Sequence, residues 1–220
     1  MSIARPVLPV LETRIRRGAA LVLVGWVLVA SLAAAGGLIN PEMPRPLIPL
    51  MIWSPLLGFV AAFAGSPQFR HWVLGWDLRW PILYHTCRVL FGAWFLVLHA
   101  RGAIDPTFAL VAGPGDIAAG ALALFAARCV PLRGRRDAAI VFAWNAFALL
   151  DILIVFVTAQ RIVFFGGGPR ALPLMGFPLG LVPALIVPLI LITHFAVFAQ
   201  LQRFLHSGIE SRQQDRKNPV

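Results

Sequence analysis

The sequence predicts an all-α integral membrane bundle of six transmembrane helices, with both termini on the cytoplasmic side (N-in/C-in). Three observations predict it. The 220 residues are 59% hydrophobic and only 13% charged, a balance that ordinary soluble domains do not have. Several stretches exceed the ~18 apolar residues that mark a membrane span. The basic residues are also uneven between those stretches. Fourteen Lys and Arg fall in the segments placed inside, against four (Arg45, Arg101, Arg161, Arg170) placed outside, and this asymmetry orients the chain. The net charge of +10 is thereby assigned to orientation and to contact with anionic headgroups of the lipid bilayer. No soluble segment interleaves a basic patch with stacking aromatics, so nucleic acid is not an expected partner.

Taken in order, residues 1–17 read as a cytoplasmic basic tail, 18–203 as the transmembrane domain and 204–220 as a polar, mobile cytoplasmic tail. The first span covers 18–39. Its small-residue run at 31–37 imitates a signal-peptide cleavage site, but the apolar run is longer than a signal h-region and a second span follows at once, so the helix is expected to be retained. The second span, 46–65, begins in a Pro-rich turn and carries Pro49 and Pro55, which membrane helices tolerate where neighbours satisfy the freed carbonyls.

Over 67–80, Trp72, Trp76 and Trp80 recur every four residues with Arg70, Asp77 and Arg79 on other faces. Indole with arginine suits the headgroup layer, and the spacing predicts a short interfacial amphipathic helix. The third span is 81–100, the fourth 106–128 with Pro106 at its first turn, and the fifth 138–160. The sixth, 176–203, has Pro173, Pro178, Pro183 and Pro188 at intervals of five, which should bend its outer half. A weak internal repeat links P-R-P-L-I-P-L-M (44–51) with P-R-A-L-P-L-M (169–175). Cys87 and Cys129 form no C-x-x-C pair and read as free thiols. Lys217 is the only lysine among nineteen basic residues, a coding bias that suggests a GC-rich bacterial genome and hence a multi-pass protein of the cell inner membrane.

The functional signal lies in the third span. His85, Arg88, Gly92, Phe95 and His99 share one helix face. A guanidinium in hydrocarbon costs several kcal/mol unless it is partnered inside the bundle. Asp116 and Asp151 are the candidate partners. At ~1.5 Å per residue, His85 lies ~7 Å from the cytoplasmic face, Arg88 and Asn145 ~12 Å, His194 ~14 Å, and the two acids ~18–20 Å. Arginine's stem can climb that difference. The six residues therefore fit one zone, while His99 falls near the outer surface. On the fourth span Ala109, Gly113, Asp116, Gly120, Ala123 and Ala127 form a stripe of small residues that permits close helix approach. On the fifth, Trp144, Ala148, Asp151, Val155 and Thr158 share a face, with Asn145 at its edge. In the sixth, Pro188 leaves the Ala184 carbonyl without its helical donor.

One structural ion pair needs only one acid. The second acid, with two imidazoles at similar depth, points to a functional site formed by Arg88, Asp116, Asn145, Asp151, His194 and His85. The leading expectation is binding or translocation of a small polar or anionic solute, coupled to a proton. Arg88 would be the charge anchor, the acids its counter-ions or proton carriers, and His194 a proton-sharing partner. An alternative is a membrane redox protein holding haem b between His85 and His194. Another is a non-catalytic subunit or scaffold that uses the small-residue stripe and the Trp helix to meet a partner or a second copy. No H-E-x-x-H, P-loop, dinucleotide fingerprint or Ser-His-Asp order occurs, so neither a metal nor a reaction class is assigned.

The strings R-V-L-F-G-A-W-F-L (88–96), F-A-L-V-A-G-P-G-D-I-A-A-G (108–120) and W-N-A-F-A-L-L-D (144–151), with the Pro-rich last span reaching His194, resemble an uncharacterised family of small bacterial polytopic membrane proteins. The likeness covers about residues 80–200. It implies that Arg88, Asp116, Trp144, Asn145, Asp151 and His194 belong to a family pattern, and it implies no activity, cofactor or substrate.

Overall fold

The computed structural model describes residues 7–40, 43–44, 46–166 and 177–217. Six helical stretches are long and apolar enough to cross a membrane, and no strand occurs among the described residues. The chain is a multi-pass membrane protein. Its helices are α1 (Val7–Ala35), α2 (Leu47–Gly65), α3 (Pro67–Leu74), α4 (Arg79–Tyr84), α5 (Cys87–Ala100), α6 (Pro106–Arg128), α7 (Arg135–Arg161) and α8 (Val187–Lys217). Short π-helical turns occupy Ile162–Gly166 and Val182–Ile186. The expected third span is α4 and α5 in series. Helix α1 begins inside the segment expected as a tail, and α8 continues to Lys217 through the other. The second copy of the repeat lies outside the described residues.

Local chemistry sets the helix ends. Ser66 Oγ accepts from the Phe69 amide at 3.2 Å, with Pro67 in the first turn of α3. Asp105 caps α6 in the same way, accepting from the Thr107 and Phe108 amides at 2.8 and 3.2 Å ahead of Pro106. The single helix expected over 67–80 is instead two. Gly75 ends α3, its amide turning back to the His71 and Trp72 carbonyls, and Asp77 accepts from the Arg79 amide at 2.9 Å to start α4. The Trp stripe is correspondingly divided. Trp72 and Trp76 pack edge to face at 5.0 Å beside Phe69 and Phe59, whereas Trp80 stands 71% exposed on α4.

The chain forms two compact units. The first comprises residues 1–76 and 161–192. Within it α1 and α2 pack on α3 and on the turn Val182–Ile186. Helix α1 leaves Leu21, Val22, Leu28 and Leu32 exposed and buries the small Ala30 and Ala34, the pattern of a helix with one face toward lipid. Here the Ala184 carbonyl, orphaned by Pro188, accepts a hydrogen bond from Trp26 Nε1 at 3.1 Å. In lipid every freed backbone group needs such a partner.

The second unit comprises residues 77–160 and 193–220. Its core joins Leu78, Ile82, Ala119, Ala123, Val141, Trp144, Ala148, Val197 and Leu201. Helices α5 and α6 cross at glycines. A methyl group added at Gly92 would lie 2.5 Å from the Gly113 carbonyl oxygen and 3.1 Å from Asp116 Cβ. One added at Gly120 would lie 3.0 Å from both the His85 carbonyl oxygen and the Val89 amide. Gly113 and Gly120 of the α6 stripe therefore lie against α5, and they let the third and fourth spans approach backbone to backbone.

Three consequences can be measured by thermal unfolding in detergent. Gly92→Ala meets backbone that cannot yield and should cost about 1–3 kcal/mol or more. Gly58→Ala, in α2 with nothing within 4 Å of the added carbon, should be neutral or stabilising by up to ~1 kcal/mol. Trp26→Phe should cost about 1 kcal/mol, because it removes the donor to Ala184 and keeps most of the ring.

Candidate functional site

Arg88 is 1% exposed and sits in the first turn of α5. The chain reaches it through a tightened stretch. The amides of His85, Thr86, Arg88 and Val89 each bond to the carbonyl three residues back, at 3.0–3.1 Å, and Thr86 Oγ1 donates to the Leu83 carbonyl at 2.8 Å. This narrower winding joins α4 to α5 at the polar residues, a common feature of helices at functional sites.

Three acceptors fix the guanidinium. Arg88 Nε donates to Asp116 Oδ1 at 2.6 Å, Nη1 to the Ala148 carbonyl at 2.8 Å, and Nη2 to Asp151 Oδ2. The two carboxylates differ in access, the Asp116 side chain being 5% exposed and that of Asp151 12%. Asp116 reaches the site because the stripe of α6 is buried against α5. Asp151 reaches it because residue 115 is glycine: any Cβ there would fall on the Asp151 carboxylate. With both acids ionised, one guanidinium faces two carboxylates and the group carries one surplus negative charge.

A second polar group surrounds the imidazoles. His85 and His194 are 0% and 1% exposed, with ring centroids 4.3 Å apart. Thr193 Oγ1 lies 3.0 Å from His85 Nε2. Asn145, fully buried, donates through Nδ2 to the His194 carbonyl at 3.1 Å, and its Oδ1 lies 2.7 Å from His194 Nδ1. Trp144 walls the pair, its ring edge to face with His85 at 5.1 Å and its Nε1 donating to the Ala119 carbonyl at 3.0 Å. Among the described residues His85 Nδ1, His194 Nε2 and the Tyr84 hydroxyl have no hydrogen-bond partner.

All six residues expected at the site meet within the second unit. His99 does not join them and is half-buried on the far turn of α5. Sequence reasoning did not find three members: Thr193, the Ala148 carbonyl and Gly115. The G-P-G-D string carried a signal for Gly115. Nothing local signalled the carbonyl of Ala148, since every residue has one. The His85 and His194 rings pack directly on each other. No group of three or more metal-binding side chains occurs among the described residues.

A family model described as a domain of unknown function (DUF8737) matches residues 45–202, and the chain belongs to that family. No curated protein and no solved structure matches it.

The arrangement sets an order among variants. Asp116→Asn leaves Arg88 with a neutral partner at its most buried contact and should cost about 3–5 kcal/mol in thermal unfolding. Asp151→Asn, at the more open contact, should cost less. Arg88→Lys should resemble Arg88→Gln, because an ammonium cannot reach three acceptors set in a guanidinium plane.

Proposed function

We propose that this protein binds a small anionic solute at Arg88 together with a proton, and carries both across the membrane. The observation that supports the reading is the charge count of a buried group: two carboxylates on one guanidinium, in a zone where surplus charge is costly. While both acids are ionised, the group repels an anion. A proton taken by Asp151, the more accessible acid, neutralises the surplus and loosens its hold on Arg88 Nη2. The freed donor, in a fixed fork suited to carboxylate or phosphate oxygens, then accepts the anion. Asp116 stays as the permanent counter-ion. Loss of the proton restores the Asp151 carboxylate to Arg88 and expels the solute.

The coupling is strong enough to matter. Two charges ~4 Å apart interact by about 4 kcal/mol at the effective dielectric near 20 that suits protein sites. That is on the order of a thousandfold in anion occupancy. The bias of basic residues toward one set of loops supports an orientation with both ends cytoplasmic, in a bacterial inner membrane.

Proteoliposomes in weak buffer with a pH-sensitive dye test the reading, using acetate, inorganic phosphate and chloride as probes. At least one should evoke proton uptake by the wild-type protein. Asp151→Asn, fixed in the neutral form, should bind the same anion without proton uptake, and Arg88→Gln should bind none. The reading fails if no probe moves protons and if Asp116→Asn and Asp151→Asn both leave the stability and its pH response unchanged. An absorption spectrum of protein purified after haem-replete expression tests the haem alternative, which predicts a Soret band.

A further inference from the structure

The imidazoles beside the ion group have a property that the anion reading does not use. Asn145 determines the tautomer of His194. Its Nδ2 donates to the His194 carbonyl at 3.1 Å, which orients the amide and leaves Oδ1 facing the ring. An amide oxygen only accepts, so the 2.7 Å contact to His194 Nδ1 requires the proton on Nδ1. The lone pair of neutral His194 then sits on Nε2, which is buried and has no donor among the described residues. This is a base held open in a fixed orientation.

Charges of both signs surround the ring. The charged and titratable groups nearest the ring are His85 in contact at 4.3 Å, and Arg88, which shares the Ala148 carbonyl region with it. Asp116 on α6 and Asp151 on α7 are bonded to that arginine. Together the acids provide one negative charge more than Arg88 balances, so a second cation in the group completes neutrality. His85 is placed differently. Its Nε2 lies 3.0 Å from the Thr193 hydroxyl, and its ring packs directly on that of His194.

We propose that His194 Nε2 is a proton-binding site of this protein, with Asn145 as the residue that keeps it open and His85 as its relay. The inference rests on the proton-coupled reading of the site and extends it from the carboxylates to the imidazoles. The step is a proton transfer only. Nε2 takes H⁺, Nδ1–H stays on Asn145, and the imidazolium offsets the surplus carboxylate charge. On release the proton passes to the Asp151 carboxylate or to solvent, restoring the lone pair.

Ring-nitrogen NMR of ¹⁵N-histidine-labelled protein in lipid nanodiscs tests this directly. His194 is assigned by loss of its signals in His194→Gln. If that variant does not fold, it is assigned by elimination with His71, His85, His99 and His206 replaced singly. The neutral His194 should show the Nδ1–H tautomer and become imidazolium on acidification. Asp151→Asn should reduce the imidazolium fraction at a given acidic pH several-fold, and Asn145→Leu should abolish the single-tautomer signature. A neutral Nε2–H tautomer, or a ring that stays neutral until the protein unfolds, overturns the proposal. So does a stoichiometric transition metal whose removal by chelator restores the Nε2 signal. Imidazolium formation without anion-evoked proton uptake supports the proton site and rejects the anion reading. Anion-evoked uptake with a permanently neutral His194 does the reverse.

Discussion

A guanidinium 1% exposed between membrane-spanning helices imposes a demand that the rest of the second unit meets. It cannot snorkel to the headgroups and cannot lose its proton, so its charge and its donors must be satisfied inside the bundle. Both of its ion pairs depend on glycines. Asp116 is within reach because Gly92, Gly113 and Gly120 let α5 and α6 cross at backbone distance. Asp151 is within reach because Gly115 leaves room for its carboxylate. The third acceptor is the Ala148 carbonyl, on the helix that also carries Asp151. A buried charge network thus dictates which positions of two helices carry no side chain to speak of.

The same logic, with backbone carbonyls as partners, recurs away from the charge. Trp144 donates to the Ala119 carbonyl and Trp26 to that of Ala184. In each case an indole N–H, which has to be satisfied when buried, meets a carbonyl flanked by a small side chain. At Ala184 the partner also repairs a local defect, since Pro188 has no amide hydrogen to offer. The Pro-rich composition of the last span is in this way compatible with a lipid environment.

The polar interior has two halves with different chemistry. Around Arg88 every contact is charge-assisted and the surplus is electrostatic. Around His194 the contacts are with an amide and aromatic rings, and Nε2 has no hydrogen-bond partner among the described residues. The two halves adjoin at Ala148 and at the tightened stretch 85–89, where one short segment of the third span supplies both His85 and Arg88.

By itself the sequence determined the membrane class, the number of spans and the identity of all six polar residues that meet. These follow from local quantities: length and apolarity of a stretch, helical period, and depth counted from a span's end. It also located the Ala184 carbonyl as an orphan, because a missing amide is a property of proline alone. Only the tertiary structure decided which partners complete each group. The split of 67–80 at Gly75, the accommodation of Asp151 against Gly115, and the choice of Ala148 and Thr193 as hydrogen-bond partners depend on how helices distant in sequence approach each other. Every residue has a carbonyl and many positions carry a small side chain, so no local pattern marks the few that packing brings to Arg88 and His194.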